Sequence, residues 1–122
     1  MILQGIRGAI TVENNNKNEI FAAVQKMLME ILLCNEIGPE DIGAALFSAT
    51  DDLTAVFPAT AARTLAGWDF VPLFDARQLE VDHSLQKCIR VLLLVNTDKG
   101  QSEIRHVYLG KAVVLRPDLA NK

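Results

Sequence analysis

The sequence predicts an α+β domain: a mixed β-sheet with one long helix and a short helix, the helices on one face. Three observations lead there. Apolar residues at Ile20, Val24, Met27, Leu28, Ile31 and Leu32 recur at helical spacing. The run Cys88-Ile89-Arg90-Val91-Leu92-Leu93-Leu94-Val95 reads as a strand with both faces covered. The order strand, long helix, then mostly strands suits helices segregated to one side of a sheet.

Each element has its own signal. Residues 2–12 alternate loosely around Ile2, Ile6, Ile10 and Val12 and form a first strand, with Gly5 and Gly8 bracketing Arg7 so that the backbone can bend or be approached closely. Asn14-Asn15-Asn16 is a turn that supplies a helix N-cap. The amphipathic helix then runs to about Glu36 and stops at Gly38-Pro39. Ile42 to Thr50 is a second strand, and Asp51 and Asp52 cap a short turn. Pro58 opens a short helix through Ala66, with Gly67 as its left-handed terminator. Phe70 to Phe74 is read as a third strand and Gln78 to Val81 as a shorter one. After the strand that holds Arg90 come a polar loop at 98–102, a last strand from His106 to Leu109, and a helical turn or strand at 111–115.

The 122 residues form one domain, 1–122, large enough to bury a core. A net charge of −3, with no basic stripe, argues against nucleic acid as a partner. No apolar stretch is as long as a membrane span, and the N-terminus lacks a signal-peptide pattern, so the expected location is cytoplasmic. Cys34 and Cys88 read as free thiols, and no Cys/His/Asp cluster has metal-ligand spacing, so no structural metal is expected. Walker A, GxGxxG, GxSxG and HExxH motifs are absent from the sequence.

The arginines are the unusual feature. Arg90 stands inside an apolar strand, Arg7 interrupts Ile6-Arg7-Gly8-Ala9-Ile10, and Arg116 closes Ala112-Val113-Val114-Leu115. A buried guanidinium cannot shed its charge and needs an anionic partner. An ion pair with Glu80 would answer Arg90 within the chain; otherwise a ligand carboxylate or phosphate is the natural partner. Read alone, Arg63 is a solvated helix residue, Tyr108 a half-buried aromatic whose hydroxyl reaches the backbone, Phe57 a hydrophobic staple and Asp75 a turn residue.

Ile6-Arg7-Gly8-Ala9-Ile10-Thr11-Val12-Glu13, Ala55-Val56-Phe57-Pro58-Ala59, Lys87-Cys88-Ile89-Arg90-Val91, His106-Val107-Tyr108-Leu109 and Leu115-Arg116-Pro117-Asp118-Leu119 stand in the order and spacing of a known family. From Gly5 to Leu119 the chain closely resembles the AroH-class chorismate mutases. The resemblance implies a homotrimer in which the subunits pack as a trimeric pseudo-α/β-barrel, with the otherwise uncovered sheet face in its interior. It also implies rearrangement of chorismate to prephenate in phenylalanine and tyrosine biosynthesis, without cofactor, at active sites between subunits. By position, Arg90 is then the cation at the substrate's ether oxygen, helped by Arg7, and Tyr108 binds a substrate carboxylate. Phe57, Ala59 and Arg63 would come from the neighbouring subunit; Leu73, Phe74 and Asp75 line the wall. Leu115 and Arg116 belong to a C-terminal segment, with 116–122 flexible, that closes over the site.

The chain departs from the family pattern at three positions. Gln78 stands where a glutamate is common, close to the substrate hydroxyl and the electron-poor ring. Asp75 stands where a cysteine is frequent, and Thr60 where lysine is. Asp75 is therefore expected to supply the charge that Gln78 lacks. The alternatives are a non-catalytic anion-binding trimer derived from this family, and a trimeric imine or enamine deaminase, which the motifs around Arg7, Arg90 and Tyr108 disfavour.

Overall fold

The computed structural model describes residues 1–116. Five strands, β1 (Ile2–Thr11), β2 (Ile42–Ala49), β3 (Leu73–Arg77), β4 (Cys88–Thr97) and β5 (Val107–Leu109), form one mixed sheet in the order β3-β2-β4-β1-β5. The pairs β1–β4 and β2–β4 are antiparallel, whereas β1–β5 and β2–β3 are parallel. Two helices, α1 (Lys17–Asn35) and α2 (Pro58–Arg63), accompany the sheet, with 3-10 turns at Pro39–Asp41, Gln101–Glu103 and Gly110–Leu115. None of the described helices is long and apolar enough to cross a membrane.

The predicted stripe of α1 is its buried face: Ile20, Val24, Met27, Leu28 and Ile31 pack in one core with Ile6, Phe47, Ile89, Leu93 and Val95. The helix packs tightly over Gly8, where an added Cβ would lie 2.7 Å from Ile31 Cδ1. Asn16 is the N-cap, its side-chain oxygen accepting from the Glu19 N–H. The helix ends before Gly38. Glu36 takes the left-handed conformation at φ 56°, and the N–H groups of Glu36 and Ile37 close back on the Leu33 and Leu32 carbonyls.

Other elements depart from the sequence expectation. The third strand begins at Leu73, not Phe70, because Trp68 and Val71 sit in successive tight turns and Pro72 has no N–H to give a ladder. Residues 78–81 form no further strand: after Gln78 N–H bonds the Ala49 carbonyl, β2 has ended and offers no partner edge. The α2 helix stops at Arg63, where the Thr64 hydroxyl bonds the Ala61 carbonyl, although Gly67 is left-handed as expected, at φ 86°. Beyond Cys88, only one face of β4 is fully covered within the chain. Its odd-numbered residues face the helices, while Leu92 and Asn96 are exposed on the other side. The expectation that residues 117–122 are flexible lies outside the described residues.

Candidate active site

Strand register assembles the open face of the sheet into rows. Ala76, Ser48, Arg90, Ala9 and Tyr108 are successive cross-strand partners over all five strands. The next row holds Phe74, Leu46, Leu92 and Arg7. Side chains alternate between faces along a strand, so Arg7 and Arg90 share this face although 83 positions part them in sequence. At one end the face is covered by the turn at 110–115, where Ala112 and Leu115 pack with Ala9, Cys88 and Tyr108. Arg7, Ala9, Ser48, Arg90, Tyr108 and Leu115 line a concavity of about 200 Å³ there.

Local bonds fix the approach of β4 to this site. The Asp52 carboxylate accepts the Lys87 N–H at 3.0 Å, and the Thr50 hydroxyl oxygen accepts the Cys88 N–H at 3.1 Å. Arg90 therefore emerges two residues beyond a pinned strand start. It lies beside the buried Cys88 thiol, whose pKa burial raises and the guanidinium lowers.

Among the described residues no carboxylate forms a salt bridge with Arg90. The Glu80 pairing is not formed, because the chain has left the sheet by then and Glu80 acts on Arg77 instead. Arg90 Nε and the Tyr108 hydroxyl are both sealed from solvent without a hydrogen-bond partner among the described residues. Tyr108, at 4 % exposure, does not reach the backbone as its default reading supposed. Two donors buried in this way cost free energy until an acceptor meets them. Set beside a second arginine, they make a recognition set for a carboxylate-bearing molecule.

The remaining candidates divide between two surfaces. Gln78 belongs with Arg90: its side-chain oxygen accepts from the hydroxyl of Ser48, Arg90's cross-strand partner, at 2.9 Å. Leu115 and Arg116 stand at the same end of the sheet. Asp75 pairs in register with buried Phe47, on the side of the helices, and accepts the Ala59 N–H at 3.1 Å. Burial raises the Asp75 pKa, opposed by that N–H and by Arg63. Asp75 and Phe57 line a separate concavity of about 680 Å³, and Phe57 is too exposed to staple α2. Leu73 is half-buried in the core, whereas Phe74 is exposed in the Arg7 row. Thus Asp75, three residues before Gln78, does not share Arg90's face within one chain. Sequence reasoning passed over Ser48 and His106; cross-strand register exposes the first, and the second bonds the backbone of Arg7.

The model of the family chorismate mutase type I matches residues 3–119. The chain belongs to that family. It is 50% identical to chorismate mutase AroH of Bacillus subtilis over 120 residues, spanning 98% of this chain and 94% of that protein. Chorismate mutase AroH of Thermus thermophilus is 49% identical, over 97% of each chain. The solved chorismate mutase of Clostridium thermocellum superposes with a TM-score of 0.88 at 46% identity, covering 91% of this chain and 98% of that one.

The orphaned hydroxyl gives a test of whether this type I site is built for a ligand. Tyr108→Phe should leave the free protein at least as stable as the parent, and up to about 1 kcal/mol more so, because an unsatisfied buried group is removed. Affinity for substrate should fall in the same variant. Denaturant unfolding measures the first effect; a loss of stability would show that the hydroxyl is bonded within the protein.

Proposed function

We infer that the protein is a chorismate mutase, converting chorismate to prephenate, and that it works as a homotrimer with active sites between subunits. The observation that carries this reading is the pair of buried donors, Arg90 Nε and Tyr108 OH, without a partner among the described residues and in one row of the open face. In the rearrangement one C–O bond breaks as a C–C bond forms in the same molecule, and no proton leaves. Negative charge gathers on the ether oxygen in the transition state. A guanidinium already fixed beside that oxygen lowers the barrier because it meets more charge there than in the ground state. Arg7 and Tyr108 take the substrate carboxylates and hold the flexible molecule in its reactive shape.

Two features support the trimer. Leu3 at 63 %, Phe74 at 61 %, Leu46 and Leu92 leave an apolar sheet face open to water in a single chain. The candidate residues also fall on two surfaces that one chain does not bring together. A neighbour that supplies Phe57, Ala59, Arg63 and Asp75 to the Arg90 site completes the set, and Gln78 and Asp75 then reach one substrate from different subunits. Incubation with chorismate, following its loss and the appearance of prephenate, tests the activity. An inert protein that still binds dicarboxylates would favour the non-catalytic alternative. Light scattering should give the mass of a trimer; an active monomer would refute the architecture. A cytoplasmic enzyme of aromatic amino-acid biosynthesis is the corresponding cellular role.

Arg90→Lys should keep the charge and lose much of the rate, about 3–4 kcal/mol in the barrier, since an ammonium cannot hold the planar fork in place. Near-normal turnover would make Arg90 structural.

Asp75→Asn should slow turnover well beyond Asp75→Glu, while Gln78→Ala is mild. The Asp75 pKa is raised, so activity should decline with falling pH at less acidic values than for an ordinary aspartate, as protonation removes the charge facing the ring. A clear gain in Gln78→Glu with an inert Asp75→Asn would transfer that role to position 78.

A further inference from the structure

His106 stands one residue ahead of β5, and its side chain does the work of a backbone acceptor. The β1–β5 ladder pairs Gly8 with Val107, and one residue earlier the Arg7 N–H is accepted by His106 Nδ1 at 2.9 Å. An imidazole nitrogen accepts only while it carries no proton, so the ring must be neutral with its proton on Nε2. The preceding residue is held independently: the Asn35 amide of α1 bonds both the N–H and the carbonyl of Arg105. The ring is thus presented to β1 from an anchored backbone.

We propose that His106 is a positioning residue, whose neutral imidazole extends the β1–β5 ladder and fixes the backbone from which Arg7 reaches the anion site. Its charged surroundings favour that state. Burial, Arg7 on β1 and Arg116 after the last turn all lower the His106 pKa, and among the described residues no carboxylate acts on it. Asn35, the α1 residue holding Arg105, is uncharged. Protonation would turn Nδ1 into a donor aimed at another donor, and the Arg7 N–H would lose its partner. Since the folded pKa lies below the unfolded one, this penalty appears as pH falls through the ordinary histidine range and is complete below the folded value. The link from ladder to catalysis rests on the chorismate mutase reading; the ladder itself does not.

Nitrogen-15 imidazole NMR of the wild-type protein tests the ladder directly, with the His106 signals assigned by their loss in His106→Asn. The expected result is the Nε2–H tautomer at neutral pH and a titration midpoint below 6.5, the ordinary value. The Nδ1–H tautomer, or a midpoint at or above that value, would overturn the proposal. In the chorismate assay, His106→Asn keeps an acceptor near the Nδ1 position. It should retain the wild-type KM at neutral pH and show a smaller rise at acid pH than wild type, since Asp75 titrates in both. His106→Leu should raise KM by about two- to tenfold with kcat little changed, the worth of one hydrogen bond. Equal defects in the two variants, or an acid rise in KM as large in His106→Asn as in wild type, would also overturn it. Wild-type protein inert toward chorismate, but with the expected tautomer and midpoint, would sink the catalytic reading and leave the ladder standing.

Discussion

A guanidinium set into the middle of a five-stranded sheet cannot be relieved by losing its proton, so everything around Arg90 must accommodate a permanent charge. The fold meets that constraint by asymmetry. One face of the sheet is closed by α1 and α2 over an apolar core, and the charge is kept on the other face. There its neighbours in register are Ser48 and Ala9, small enough to leave room above the guanidinium, with Tyr108 closing the row. No described side chain forms a salt bridge with it, and that is the ground for the proposal that an anionic ligand does so.

Much of this was legible in the sequence, because periodicity and capping are local. The stripe from Ile20 to Leu32 and the Asn16 cap defined α1, and the apolar run around Arg90 defined β4. What escaped depended on partners elsewhere in the chain. Phe70 looks like a strand residue by composition, yet Pro72 and the turn at Trp68 set where the ladder can begin. Glu36 carries no sequence mark of a left-handed helix end. Asp75 and Gln78 look interchangeable at three residues' separation, and only the pleat of β3 sends them to opposite sides.

That opposition is informative about the site as a whole. Arg7, Arg90, Tyr108 and Gln78 gather on the open face, while Phe57, Ala59, Arg63 and Asp75 surround α2. On the proposed reading a single subunit carries two half-sites, one cationic and one bearing an aromatic wall and a carboxylate. In the homotrimer proposed above, closed rotational assembly would make each half meet the other's copy and would also bury the leucines between them. The exposed apolar face and the split of the candidate residues are what support that proposed arrangement.

The row through Ala76, Ser48, Arg90, Ala9 and Tyr108 has a consequence for how such a chain can change over time. Membership of the row is a matter of odd and even counting along each strand. Loss or gain of one residue within 2–11 or 88–97 would turn every later side chain of that strand over, sending an arginine into the core and a leucine to the solvent. The strands can thus drift in letters but hardly in length. The route open to innovation at the site is therefore exchange of side chains in place.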